Sequence, residues 1–348
     1  MSARRLAIGV VLAVLCLPSP VPAAALQQHP EHRWLRYALD AAAEPDPADL
    51  ELDTEREREL REAGHGFVEL LVRQQIRVER DGTLSQRVVH ARRYLTENGV
   101  QQAGNLAFGV AADRDSARIE AAYVLAPGDE RHGVDLSTLQ VETSDRSVFS
   151  DARAVTVPFA GLRPGATAVL VVTLRESPGD WPLPWSRVHY LQALVPIERY
   201  EVDVEWAPGA APLAVSENDP ALECTAPGPN RRSCRKLLVP ALATDPDVQS
   251  YFDLTPHLVV SAAHDWDAIT SRELPLVQHA VVRSPELERT AQRLAGQAAT
   301  PLAKLQALQR FVADEIRYVG LEHGHSAVAP HTTSLTLEQR VRPFAQTY

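Results

Sequence analysis

Few residues in this sequence could do chemistry. Cys224 and Cys234 flank Pro227-Gly228-Pro229-Asn230, a tight-turn signal that brings the two sulfurs toward one another. A disulfide closing a hairpin-like loop is the favoured reading, because an oxidising compartment sustains it. Two unpaired structural thiols are the alternative. A metal pair is disfavoured by the long spacing and by the lack of a His between them. A nucleophile is disfavoured because no His-containing motif flanks either sulfur. His323 and His325, with Glu322 and His331, offer donors of the kind zinc takes. Trp181, Pro182, Pro184 and Trp185 form an aromatic and proline cluster that could bind a peptide or a glycan, although a loop packed over a sheet is the commoner use of such a cluster. The stretch 161–167 lacks the Gly-Lys-Ser/Thr ending of a phosphate loop and reads as a β-turn. No Gly-x-Ser-x-Gly elbow is present, so no serine hydrolase is indicated.

The elements around these residues begin with an export signal. Arg4 and Arg5, an apolar run over 6–17, Pro18, Pro20 and Ala23-Ala24-Ala25 follow the order of a cleaved secretory signal. The run is shorter than the about 20 residues of a membrane span. Leu15 is too large for the residue expected ahead of a lipidated Cys16. Residues 1–25 are therefore expected to be removed, leaving a periplasmic or secreted chain without a transmembrane span. Loss of two arginines takes the formal charge from -10 to -12, an acidic balance that argues against a nucleic-acid partner.

Residues 26–63 read as a polar helical lead-in, with a short helix over 32–43 stopped by Glu44-Pro45-Asp46-Pro47 and a charged, solvated segment after it. From Gly66 the pattern turns to period two. A strand over 67–78, the hairpin signal Asp81-Gly82, a strand over 86–96 and a turn at Asn98-Gly99 follow in order. Further strands are expected over 118–125, 139–141, 166–174, 188–195, 199–206, 235–239 and 257–262. So many short strands imply an antiparallel sandwich or a pair of curved sheets over 64–275. Two helices come next. Ser284-Pro285 opens one, with Leu287, Ala291 and Leu294 on a face and Gly296 closing it. Thr300 and Pro301 open the second, in which Leu302, Leu305, Leu308, Val312 and Ile316 repeat at three and four and predict one buried face. Residues 317–320 break that period as a short extended exit.

The run Phe311-Val312-Ala313-Asp314-Glu315-Ile316-Arg317-Tyr318-Val319-Gly320-Leu321-Glu322, with Pro330 beyond it, is similar to the transglutaminase-like superfamily of bacterial secreted proteins. That resemblance implies a papain-like domain with a Cys-His-Asp site, in which an aromatic residue and Gly-Asp-Cys-Lys-Asp come next. This chain instead reads Val341-Arg342-Pro343-Phe344-Ala345-Gln346-Thr347-Tyr348, and no residue maps onto the three catalytic positions. A thiolate needs a helix N-terminus and an oriented imidazole, and Pro343 supplies neither. The ending is expected to be an unrelated one, of the kind an altered reading frame or a truncated gene gives. In the superfamily the histidine stretch is a Gly-rich loop beside the cleft, so a solvent-facing loop is preferred there. No metal and no cofactor are assigned.

Leu162-Arg163-Pro164-Gly165-Ala166-Thr167, Pro256-His257-Leu258-Val259-Val260-Ser261 and Asp265-Trp266 resemble the β-rich domain of unknown function 3857, which commonly precedes transglutaminase-like domains. The likeness extends over about 64–266 and implies a domain partnership without a transferable activity. The resulting expectation is an α+β protein: a large antiparallel β-sandwich-like domain, then over 284–348 the short helical start of an incomplete transglutaminase-like domain. It is expected to be catalytically inactive as written. A periplasmic module that binds or scaffolds an envelope protein, peptide or glycan through Trp181 and Trp185 is the alternative, and a metal-assisted hydrolase the third reading.

Overall fold

A computed structural model of the protein describes residues 27–112, 115–128, 130–143, 152–177, 185–210, 213–243, 255–262, 265–321 and 331–345. The expected signal, Trp181, Glu322, His323 and His325 lie outside the described residues. The chain runs β1 (Gln27–Gln28), β2 (Leu35–Tyr37), α1 (Thr54–Glu62), β3 (Phe67–Val78), β4 (Leu84–Tyr94), α2 (Glu97–Ala103), β5 (Asn105–Ala111), β6 (Ser116–Leu125), β7 (Arg131–Gly133), β8 (Gln140–Thr143) and β9 (Ala152–Pro158). It continues with β10 (Thr167–Glu176), β11 (Ser186–Tyr190), β12 (Ile197–Trp206), β13 (Ala214–Glu217), β14 (Glu223–Gly228), β15 (Arg231–Val239) and β16 (His257–Ser261). The C-terminal part holds α3 (Trp266–Ala280), α4 (Pro285–Ala295), α5 (Pro301–Glu315), β17 (Arg317–Leu321), α6 (Thr333–Gln339) and β18 (Val341–Ala345).

Ten strands form one sheet in the order β1-β2-β6-β10-β4-β3-β12-β15-β14, with β7 beside β6. Most neighbours are antiparallel, but β12 lies parallel to β3 and β2 parallel to β6. Two three-stranded sheets, β5-β9-β8 and β11-β16-β13, cover parts of one face. Alternation along the central strands then divides the apolar side chains. Leu170, Val172, Ile119 and Tyr94 pack under β5-β9-β8 with Leu106, Val155 and Val157. Ile76, Val202 and Val204 pack under β11-β16-β13 with Leu258 and Val260. Residues of the opposite register, Leu71, Val89, Ala91, Val169 and Val171, meet Leu50 and Leu60 on the other face.

That second face changes the reading of residues 26–63. The helix expected over 32–43 is instead β2 followed by a 3-10 turn at Ala41–Ala43, because Leu35 and Tyr37 enter the sheet at period two. Nor is the charged segment merely solvated. Arg73 donates to Asp49 (2.9 Å) and to Glu201 (2.5 Å), Arg199 pairs with Asp49, and Arg56 donates to Glu198 (3.1 Å). Its charges thus tie the lead-in to β3 and β12.

Asn98-Gly99 is not a hairpin turn either, since both residues lie within α2, capped by Thr96 Oγ1 accepting from the Gly99 amide (3.1 Å). A Cβ on Gly99 would stand 2.0 Å from the Gly66 carbonyl oxygen, so only glycine permits this backbone approach. The strand expected over 188–195 is shorter and earlier, at Ser186–Tyr190.

The expected C-terminal helices form with their expected caps. Ser284 Oγ accepts from Leu287 and Thr300 Oγ1 from Ala303, each at 3.1 Å. The buried face expected of the second helix is not found. Of that face only Leu308 and Ile316 are half-buried, beside Ala303, Ala307 and Phe311, whereas Leu302 is 64% exposed, Leu305 61% and Val312 50%. Contact with α4 uses a neighbouring stripe and leaves much of the apolar one open. Residues 341–345, expected to be an unrelated ending, form β18, which pairs parallel to β17.

Candidate functional site

Strands β3 and β4 carry the most concentrated polar chemistry of the sheet. Past the hairpin they pair regularly as far as Leu71 opposite Ala91, where a β-bulge brings Glu69 opposite Arg92. The shift turns Glu69 to the face of His90 and Arg92. Its carboxylate, in a residue only 4% exposed, meets His90 Nε2 at 2.6 Å and accepts from Arg92 Nε (2.9 Å) and Nη2 (2.6 Å). Burial opposes the negative charge, but His90 and Arg92 outweigh it and hold the Glu69 carboxyl below its ordinary value. Arg92 also donates to the Ala103 carbonyl (2.9 Å) and lies over the Phe67 ring at 4.6 Å. Beyond His90 the polar line continues. Gln86 Nε2 donates to Gln74 Oε1 (2.7 Å), and Gln74 Nε2 donates to the Tyr200 hydroxyl (2.9 Å), whose pKa burial raises.

This line falls between the two covering sheets. Arg187 of β11 pairs with Glu176 at the end of β10, whereas Asp219, just past β13, pairs with Lys236 of β15. Strand β11 is therefore the member of its sheet turned toward β10. Arg92 also donates to the Asn105 carbonyl at the start of β5 (3.5 Å), which sets β5 as the inner strand of the other small sheet. Between them Gln86, Val88 and His90 of β4 and Val72 and Gln74 of β3 are half-exposed, forming the floor of a seam. The floor is close to neutral, because Arg92 balances Glu69.

Strand β11 itself holds a second polar group. His189, 4% exposed, faces the large sheet, and burial, reinforced by Arg187, pushes its pKa down to about 4. Its ring is therefore neutral at pH 7. Trp185, one of the two tryptophans singled out from the sequence, precedes β11 and packs against the core beneath that sheet. Trp181 cannot be placed beside it, as it lies outside the described residues.

Cys224 and Cys234 stand directly opposite each other on β14 and β15 and are joined by a disulfide. Glu217 lies close to both sulfurs, and the three could be taken for a metal-ligand group. The disulfide removes the thiolates that such a site needs. Of the four residues in the zinc-type reading only His331 is described; burial lowers its pKa.

The sequence reading passed over Glu69, His90, Arg92 and His189. Only the Asp81-Gly82 turn pointed toward the first three, and it misplaces one of them. Counting outward from that turn puts Glu69 opposite Arg93, on the other face, and the bulge is what undoes this.

Fold and site together define an α+β protein whose large mixed sheet is covered on both faces and followed by helices. Residues 80–235 match DUF3857, a domain of unknown function with a solved structure. No curated protein matches the chain. Among solved structures it resembles one described as a "putative protease" from Parabacteroides distasonis, with a TM-score of 0.68 and 15% identity, over 80% of this chain and 56% of that one. At that identity the likeness shows the fold alone, and this chain spans little more than half the length of that protein. Leukotriene A4 hydrolase from Saccharomyces cerevisiae (TM-score 0.33, 13% identity, 56% of this chain and 29% of that one) and an M1 zinc metallopeptidase from Deinococcus radiodurans (0.29, 14%, 56% and 42%) also match. Their TM-scores carry no functional argument. No helix among the described residues is long and apolar enough to cross a membrane.

Proposed function

We propose that this is an exported envelope protein, related to transglutaminase-like thiol acyl-transferases and peptidases, whose residues 1–348 bind or scaffold rather than catalyse. The observation that carries this reading is the disulfide between Cys224 and Cys234, which leaves neither sulfur as a nucleophile. The DUF3857 match, the fold likeness to the Parabacteroides protein and the capped helices α4 and α5 support the family context. The order of charged, apolar and small residues over 1–25 supports export into an oxidising compartment, where such a disulfide persists.

Purified mature chain should neither transfer an acyl group from a glutamine donor nor cleave a peptide amide. Turnover that is abolished by alkylating Cys224 or Cys234 would overturn the reading. For export, the protein recovered from the envelope fraction should begin after Ala25, as N-terminal sequencing would show.

A binding role is favoured by the half-exposed polar residues Gln74, Gln86 and His90 on β3 and β4. Pull-down from envelope extract, compared between wild type and Trp185→Ala, tests it. A partner lost in the variant supports the reading, and no partner at all counts against it.

A further inference from the structure

One end of the large sheet carries a cavity remote from both the polar line on β3 and β4 and the disulfide. Its volume is about 730 Å³, and its lining lies wholly within the described residues. Small-ligand pockets span roughly 300–1,000 Å³. One wall is the β1–β2 hairpin. The other runs from Val134 through a 3-10 turn at Leu136–Thr138 to Val141 of β8, so the cavity lies between the sheet's edge and the outer strand of a covering sheet.

Local hydrogen bonds set the chemistry of the hairpin wall. The His29 amide donates to the Leu35 carbonyl (3.0 Å), which closes the loop, and Gln27 stands opposite Tyr37. His29 Nδ1 accepts from the amides of Glu31 (3.2 Å) and His32 (3.3 Å), so the neutral ring carries its proton on Nε2. Burial, and then His32, lower the His29 pKa, which keeps the ring uncharged at pH 7. It lies 4.8 Å from the His32 ring and 6.2 Å, edge-on, from Tyr37. The Tyr37 side chain, in a residue only 8% exposed, makes no hydrogen bond among the described residues. Across the cavity Val134, Leu136, Leu139 and Val141 are half-buried on the core beneath, and they give the second wall an apolar surface.

The charges are one-sided. Two carboxylates line the cavity, and no Lys or Arg does. Asp135 accepts from the Ser137 amide (2.9 Å) and hydroxyl (2.7 Å), which hold its pKa below the ordinary value. Glu31 has no ion pair and no side-chain hydrogen bond among the described residues. Arg36 alternates with Leu35 and Tyr37 along β2, so it faces away from them. Neutral rings, an apolar wall and two carboxylates repel an anion. They suit a cation on an apolar stem, whose head meets the carboxylates and the Tyr37 ring while its stem lies on Leu39 and the opposite wall.

We propose that this cavity binds an ammonium or guanidinium group borne on an apolar stem, the chemistry of a lysine or arginine side chain of an envelope peptide and of a free aliphatic polyamine. The proposal rests on the reading of this chain as a binding module and supplies a ligand class and a place.

The test titrates the mature chain calorimetrically with hexylamine and hexanoate, which share a stem and differ in charge. Hexylamine should bind and hexanoate should not. Glu31→Gln should weaken hexylamine binding about five-fold. Leu39→Ala, at a position already 40% exposed, should weaken it about three-fold. Both variants should keep the wild-type melting temperature. Spermidine and acetyl-leucyl-lysyl-leucine amide then separate the two sources, since the tighter of them identifies a polyamine or a peptide site. Failure of all three amines, equal binding of hexanoate, or hexylamine binding unchanged in both variants overturns the proposal. A partner captured from envelope extract would still uphold the binding-module reading after any of these results. With no partner captured, both fall together.

Discussion

The sheet body and the C-terminal helices solve the burial problem to different degrees. In the body, alternate residues of the same strands enter separate cores, and the buried glutamates take their partners with them, as Glu69 and Glu120 do with arginines. In the helical part Leu302, Leu305 and Val312 keep an apolar stripe in the open, and Trp266 of α3 is 70% exposed. Both regions show clear periodicity in sequence. The body's is used up by tertiary contacts, whereas much of the helices' is not, so local capping and the packing of α4 on α5 account for more of their order.

The comparison is broken most directly by removing a buried charge. Glu69→Ala leaves Arg92 and His90 without their carboxylate and should cost about 3–5 kcal/mol in urea unfolding. A cost below about 1 kcal/mol would show that solvent reaches this cluster as freely as it reaches α5. Acid should weaken the body next. His189 has a pKa of about 4 in the fold against 6.5 in an open chain. Between those values the unfolded state takes up the extra proton, so stability falls as pH falls through that window, by up to about 3 kcal/mol. Glu69, whose pKa is depressed, adds a loss in the same direction below its unfolded value. His189→Leu should flatten the pH 4 to 6.5 part of a melting-temperature profile.

Reduction of the Cys224–Cys234 disulfide returns a short loop's worth of entropy to the unfolded chain and should cost about 2–3 kcal/mol, read as a lower urea midpoint in reductant. Gly99→Ala should cost about 1–3 kcal/mol, because α2 must back away from the Gly66 carbonyl. The smallest effect belongs to the helices. Leu305→Ala should change stability by less than about 0.5 kcal/mol, against about 2–5 kcal/mol for Leu170→Ala in the body. A large loss at Leu305 would mean that its face is covered in solution.

Local signals are legible in the sequence. The Asp81-Gly82 hairpin, the Ser284 and Thr300 caps, the helix over 301–315 and most long strands each depend on a few adjacent residues, so alternation and capping expose them. Strands β5, β9 and β13 are not legible because they are short and held through partners distant in sequence, and β14 because its pattern is broken by the Pro-Gly turn and a register shift. The lead-in is illegible for a related reason: Asp49 and Arg56 look solvated until Arg73, Arg199 and Glu198 are brought beside them.

By itself the sequence determined the Asp81-Gly82 hairpin, the two capped helices and the turn that lets two cysteines meet. Tertiary structure alone decided that a bulge turns Glu69 toward His90 and Arg92, and that the two small sheets pack over separate cores of the large one. Dihedral preference and capping act within a few residues of chain. Register and face depend on what the rest of the molecule places alongside, and no short window of sequence contains that.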